Sequence, residues 1–260
     1  MSLSASSRLA ACGLAALAFA AVGTCAADAP TLLVTRIFDG DTIGLGDGRI
    51  VRLAGIMAPK SSPGGAPRPS DAYASAAMGA LARLVENQTV RLAPTGAGGD
   101  RHGRVLAHVF GRDDRWLQAE LVRRGVVRVD TLPDGRERAR ELLHLEAEAR
   151  VARRGLWASR VFAVRDADAA RRFIDRFELV EGRVLAASTV AGRVYLNFGT
   201  DWRSDFTVAV PRENRQTFSA AGLDPRTLKG KMIRVRGWIQ WRDGPLIEAV
   251  HPEQIEVLEP

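Results

Sequence analysis

The chain has 260 residues, enough for one or two domains with a sizeable core. With 46% hydrophobic and 26% charged residues it has an ordinary globular composition, which excludes a wholly disordered or fibrous chain. Its net charge of +7 and pI near 10.3 fit a polyanionic partner, either nucleic acid or another anionic surface. Only Lys60, Lys229 and Lys231 are lysines. A GC-rich coding sequence produces the same Arg-for-Lys bias, so both origins of the charge stand.

Arg8 precedes an apolar, Ala-rich run from Leu9 to Val22, and Thr24-Cys25-Ala26-Ala27 then supplies small residues. That is the layout of a secretory signal peptide over residues 1–27, cleaved after Ala26 or Ala27. The run is short for a membrane span of about 20 residues. The expectation is a periplasmic or secreted protein with no membrane span in the mature chain. Its oligomeric state is left open. Cys12 and Cys25 both lie in the leader, so the mature chain is expected to have neither disulfides nor a thiolate metal site.

Three regions follow: 28–160, 161–176 and 177–260. In the first, Thr31–Phe38 and Arg49–Leu53 are β-branched and apolar and bounded by Asp-Gly pairs, so they read as strands joined by turns. Lys60 to Ser70 is a Pro/Gly/Ser loop. Ser70 or Asp71 can cap a helix through about Glu86, with Tyr73, Ala77, Leu81 and Leu84 at helical spacing. Thr89–Ala93 and Arg104–Phe110 read as strands, and Leu117–Arg124 as a short helix ended by Gly125. Asp134–Arg154 reads as a longer helix with Gly155 at the C′ position and Glu146 and Arg150 as an i,i+4 pair.

Residues 161–176 are dense in Arg, Asp and Ala and are expected to be a helical linker. From Phe177 the strand rhythm returns. Val184, then Val194/Leu196/Phe198, Phe206/Val208/Val210, Ile233/Val235 and Ile247 fall in short segments divided by Gly or Asp. With one helical stretch at Arg212–Ala221, they suggest a small closed barrel. No convincing sequence repeat links the two halves.

Three pieces of the first region stand out together: Phe38-Asp39-Gly40-Asp41-Thr42, then Val51-Arg52-Leu53-Ala54-Gly55-Ile56-Met57-Ala58-Pro59-Lys60, then Asp100-Arg101-His102-Gly103-Arg104-Val105-Leu106-Ala107. With Gly125 to Val129 and Arg-Arg-Gly-Leu-Trp at 153–157, their order and spacing resemble the staphylococcal nuclease (thermonuclease) family over roughly residues 31–158. The resemblance implies a mainly β fold with helices (α+β): a five-stranded barrel of the oligonucleotide-binding type carrying three helices. It also implies calcium-dependent phosphodiester hydrolysis. In the family the first motif supplies an aspartate ligand to Ca²⁺, matched by Asp41. The second supplies an arginine, a second aspartate ligand, a neighbouring backbone ligand and a water-activating glutamate. The third supplies another arginine. The two arginines match Arg52 and Arg104.

Two positions depart from that pattern. Met57 stands where the second metal carboxylate is expected, and Lys60 where the glutamate is expected. Calcium takes six to eight oxygen ligands, and a thioether is a soft substitute. Asp41 is then a single remaining carboxylate and a weak Ca²⁺ site, with no other cofactor expected. Lys60 is a poor general base at the position it occupies. Arg52 and Arg104 can still meet a phosphate, and Lys60 could add a third positive charge. Arg52 could instead pair with Asp41 inside the barrel. Asp39 reads as a turn residue, and Arg101 and His102 as flanks of the pocket. His108, His144 and His251 are scattered without zinc spacing, and Gly96-Ala97-Gly98-Gly99 does not lead into a phosphate-binding helix start.

In the third region, alternation that turns Val194, Leu196, Phe198, Ile233, Val235 and Ile239 inward turns Arg193, Tyr195, Asn197, Arg234, Arg236 and Trp238 outward. Tyr195, Arg234, Arg236 and Trp238 on one face would suit single strands, with bases on rings and phosphates on charges. Packing of the aromatics against the first domain or the barrel ends is the alternative. The pattern resembles an oligonucleotide/oligosaccharide-binding fold. The leading expectation is a catalytically impaired nuclease homologue that binds nucleic acid or another phosphate polyanion. A working Ca²⁺-dependent endonuclease with a rearranged site, and an envelope scaffolding protein, are the alternatives.

Overall fold

The structure, a computed structural model, describes residues 31–258 except 63, 65, 67, 97, 98 and 202. The expected signal peptide lies outside the described residues. Among them no helix is long and apolar enough to cross a membrane.

The first domain contains β1 (Thr31–Asp39), β2 (Thr42–Leu45), β3 (Ile50–Leu53), β4 (Ile56–Met57), α1 (Asp71–Val85), β5 (Thr89–Pro94), β6 (Val105–Phe110), α2 (Leu117–Arg123), β7 (Arg128–Val129) and α3 (Ala139–Val151). A closed barrel forms in the order β1-β2-β3-β6-β5, in which only β3–β6 is parallel. Ile43, Val51, Leu53, Leu81, Val90 and Val109 are fully buried where the barrel meets α1 and α2. Each such side chain contributes about 1.5–3 kcal/mol relative to exposure. β4 and β7 form a separate two-stranded ladder beside the barrel.

The helices differ from expectation at their ends. The Ser70 side chain makes no capping bond; the Asp71 carboxylate instead accepts from the N–H groups of Ser62 and Arg68. α3 starts at Ala139 and not at Asp134, because Arg136 turns away to meet Glu253 of the second domain at 3.0 Å. It stops at Val151, with Arg153 in the left-handed region at φ +51° ahead of Gly155.

Residues 161–176 contain no α-helix. Instead, 3-10 turns at Arg160–Phe162 and Ala167–Phe173 flank β8 (Arg165–Asp166), which lies parallel to β9 (Phe177–Arg183). The segment lacks a continuous apolar face, and Ala170 anchors it to the second core. Then come β10 (Ala186–Val190), β11 (Arg193–Asn197), β12 (Thr207–Val210), α4 (Arg215–Ala220), β13 (Met232–Trp241), β14 (Pro245–Glu248) and β15 (Ile255–Leu258).

The sheet runs β10-β11-β12-β14-β13-β9, with β12–β14 parallel and the other pairs antiparallel. Its two ends are one bent strand, because β9 continues into β10 through Val184 and Leu185. Both keep their ladder bonds, to Lys231 O and Asn197 O at 2.9 Å. The sheet therefore curls back on itself. Counting β9 and β10 as one strand, it repeats the first barrel's pattern: a parallel pair closes the meander, and a helix precedes the fourth strand. The side chains expected inward, Val194, Leu196, Phe198, Ile233, Val235 and Ile239, all lie in this core, together with Val184, Phe206, Val208, Val210 and Ile247.

The domains are joined by a buried ion network. Arg236 is 1% exposed; its Nη2 lies 2.8 Å from Glu146 Oε2 and also pairs with Glu256. Glu146 further holds Arg150 at 2.9 Å and accepts from Val129 N at 2.7 Å. Arg234 pairs with Glu181 and Glu256 at 2.8 and 3.0 Å. The expected binding role of Arg236 is thereby corrected: it points away from its own sheet's core, as alternation requires, but the first domain covers it there. Arg234 is held between two carboxylates of its own domain, beside that network. The expected Glu146–Arg150 pair forms, inside the interface and not on a solvated helix face.

Candidate functional site

The site begins at a two-residue turn. Gly40 and Asp41 connect β1 to β2, and the Asp41 N–H donates to Asp39 Oδ1 at 2.9 Å. The turn presses against α1 so closely that a Cβ on Gly40 would lie 2.5 Å from Ala77 Cβ and 2.8 Å from Ala58 Cβ. Only glycine fits that approach. It sets the Asp41 carboxylate into the barrel wall, where the residue is 0% exposed.

Four groups surround that carboxylate. Ala58 N–H donates to Oδ2 at 2.6 Å, and Thr42 Oγ1 donates to Oδ1 at 3.0 Å. Arg52 Nη1 on β3 lies 2.8 Å from Oδ1. That contact is a close ion pair poorly aligned as a hydrogen bond, since Nη1 has no aligned acceptor. Lys60 Nζ donates to Asp41 Oδ1 and Asp39 Oδ2, both at 2.7 Å. Its ammonium thus bridges the two carboxylates of the turn. Burial pushes the Asp39 carboxyl up, but bonds from Lys60 and from the Asp41 N–H outweigh it and hold the group below the ordinary carboxylate range.

Met57 faces elsewhere. It packs on a cluster of Ala149, Trp157, Phe177 and Leu179, where the second domain meets the first. In this chain position 57 is part of the domain interface.

Arg104 precedes β6 and is held by Asp100. The Asp100 carboxylate accepts from Arg104 Nε at 2.7 Å and lies 2.6 Å from its Nη2, and it also takes the N–H groups of His102 and Arg104. Burial raises the Asp100 carboxyl, and these bonds outweigh it and lower it. Arg104 Nη1 sits 3.5 Å from Thr42 Oγ1, which brings the third motif to the first. Arg101 and His102 are exposed neighbours, with Arg101 Nε donating to His102 Nε2 at 3.2 Å.

Arg52, Asp100, Arg101, His102 and Arg104 line one open cleft of about 430 Å³. A sixth polar residue lines it that the motifs did not indicate: Asp130, immediately after β7. Asp130 shows no pattern in sequence beyond following a short apolar stretch. Burial pushes its carboxyl above the ordinary range; Arg52, Arg128 and Arg236 oppose the shift and Asp41 adds to it.

The second domain carries another cleft, of about 580 Å³, on the β10–β11–β12 face. Tyr195 lines it beside Asn197 and Arg193, whose guanidinium lies 5.7 Å from the ring centroid and pairs with Glu248. Trp238 is 53% exposed, edge-on to Phe177 at 6.3 Å, and does not line this cleft. The structure therefore does not gather Tyr195, Arg234, Arg236 and Trp238 in one cleft. Among the described residues no group of three or more His, Cys, Asp or Glu is arranged to hold a metal.

The closed barrel, its three helices and the turn–β3–β6 constellation are those of a staphylococcal-nuclease-like domain. Residues 50–159 match the family described as staphylococcal nuclease homologue. Over 104 residues the chain is 33% identical to a thermonuclease of Staphylococcus intermedius, a stretch covering 39% of this chain and 60% of that protein. The chain thus spans about three-fifths of that relative's length. The family match begins after Asp39 and Asp41, but β1 and β2 belong to the same closed barrel and bring the turn to Arg52 and Arg104.

Proposed function

We propose that this protein is a nuclease homologue that binds a phosphate polymer, nucleic acid foremost, and does not carry out calcium-dependent hydrolysis. The observation that carries the reading is the Lys60 ammonium at 2.7 Å from both Asp39 and Asp41. A calcium ion seeks negative oxygens in that volume, and here a fixed cation already bridges both carboxylates. The second carboxylate is replaced by Met57, whose side chain packs into the domain interface. The residues present do not fit calcium.

Binding needs less. Arg52, Arg101 and Arg104 line one cleft with His102 and offer planar donors to a phosphodiester. Arg52 and Arg104 each have a carboxylate partner within 3 Å that keeps the guanidinium oriented. An incoming phosphate competes with Asp41 and Asp100 for them, so affinity should be modest and salt-dependent.

The test is fluorescence anisotropy of a labelled single strand with the full chain over a range of salt. Binding that weakens linearly on a log–log salt plot, unchanged by EDTA, and losing about one counterion of slope on Arg104→Ala, supports the reading. Equal affinity of the Arg52→Ala/Arg104→Ala double variant and the parent at low salt sinks it.

A further inference from the structure

Asp41 and Asp100 are saturated by donors, but Asp130 is not. It is half-buried and lines the same cleft as Arg52 and Arg104. Arg52, Arg128 and Arg236 act on it only through their charge; no described donor bonds its carboxylate. An ionised carboxylate can accept about four hydrogen bonds, and holding one in partial burial without partners is costly.

The fold nevertheless fixes it there. Asp130 N–H donates to Gly55 O at 3.0 Å. Each neighbour on its strand is tied to the second domain. Arg128 Nη1 donates to Phe177 O at 2.7 Å, Arg236 Nη1 to Val129 O at 3.0 Å, and His251 Nε2 to Thr131 O at 2.9 Å. The backbone carrying Asp130 is therefore pinned on both sides by Phe177, Arg236 and His251. The carboxylate between them stays open toward the cleft.

We propose that Asp130 is a specificity-determining residue of the cleft: it accepts a hydrogen bond from a donor carried beside the phosphodiester that Arg52 and Arg104 hold, and the second domain positions it. The inference rests on the phosphate-binding reading above. It adds that the ligand bears a neutral donor one residue's reach from its phosphate, either a base N–H or a ribose 2′-hydroxyl. A plain phosphate chain would gain nothing from Asp130 and would be repelled by its charge.

Three strands of equal length test this with the full chain: an abasic deoxyribose-phosphate strand, oligodeoxyadenylate and oligoriboadenylate. The parent should prefer at least one adenylate over the abasic strand. Preference for both points to the base, and preference for the ribo strand alone to the 2′-hydroxyl. Asp130→Ala should tighten binding of the abasic strand by a few-fold and lower the preference by about tenfold or more, as for a lost charged hydrogen bond. Asp130→Asn removes the charge but keeps an acceptor, so it should tighten abasic binding equally and lower the preference less. His251→Leu should lower the preference as Asp130→Ala does, and His251→Gln, which restores a donor toward Thr131 O, should recover it. Thermal melts of each variant identify any that fail to fold, and Asp130→Asn, nearly isosteric, decides the question if the others do.

A parent that prefers neither adenylate, or an Asp130→Ala variant with unchanged preference, overturns the assignment while Arg-dependent binding leaves the phosphate reading intact. No binding by the parent to any strand overturns both. An unchanged preference in His251→Leu alone removes the positioning role of the second domain.

Discussion

Replacing Lys60 with glutamate tests the idea that a side chain has taken the cation's place. The ammonium makes two contacts of 2.7 Å, one to a fully buried carboxylate and one to a partly exposed one. Lys60 itself is 48% exposed, so solvent screens both contacts. Losing them and adding a like charge should cost about 2–3 kcal/mol. For a chain of this size that lowers Tm by roughly 5–10 °C in EDTA. The variant also gains what the parent lacks, a third carboxylate around an empty volume. If it binds Ca²⁺ with a Kd of about 1 mM, about 10 mM Ca²⁺ returns roughly 1.4 kcal/mol, or about 3–5 °C. Differential scanning fluorimetry of parent and variant, each in EDTA and in Ca²⁺, reads all four values. The parent Tm should move by less than about 1 °C with Ca²⁺. A parent that rises with Ca²⁺ as much as the variant would refute the reasoning, as would a variant more stable than the parent in EDTA.

Met57→Asp puts a carboxylate against Phe177 and Leu179 and should cost about 1–3 kcal/mol, whereas Met57→Leu should be nearly neutral; urea melts separate them. Because position 57 faces the interface and not Asp41, adding Met57→Asp to Lys60→Glu should not tighten Ca²⁺ binding beyond that of Lys60→Glu alone; calorimetry showing a tighter site would contradict that placement. His108 is buried edge-on to Trp116 with neither ring nitrogen bonded, and burial lowers its pKa to about 4. A depressed folded pKa means stability is complete above the unfolded value near 6.5 and is lost as pH falls toward 4, by up to about 1.4 kcal/mol per unit. His108→Phe should flatten that acid limb in a Tm-versus-pH series. Arg236→Met removes one of the two guanidiniums that Glu146 and Glu256 share, leaving Arg150, so chemical denaturation should show a loss of about 1–3 kcal/mol.

The sequence made the first barrel legible because its strands alternate and its turns carry Asp-Gly signals. β2 was hidden, since Thr42–Leu45 follows the Asp-Gly-Asp motif without its own boundary. The second domain's inward residues were also readable from period two. Its likeness in topology to the first was not, because pairing order leaves no trace in residue identity. Arg234 and Arg236 show where alternation stops informing: it tells which side of a strand a residue takes, and not what covers that side. The Asp134-Gly135 pair is a local turn signal that the longer helix reading overran, and the further pull, Arg136 to Glu253, spans the domain boundary. Asp41, Arg52, Lys60 and Arg104 converge as their motif order implied. Arg52 pairs with Asp41, one of the two arrangements the sequence left open, and Arg52 still lines the cleft. Asp130 was missed because its neighbours in space come from β3, the 100–104 loop and the second domain.

If Lys60 stands in the cation's place, hydrolysis is lost with it. Incubating the purified parent protein with single-stranded and duplex DNA and with RNA, in Ca²⁺ and in EDTA, tests it most directly. No cleavage above a mock-purified control is expected in either buffer, alongside retained salt-sensitive binding. Robust cleavage in Ca²⁺ that EDTA abolishes would contradict it.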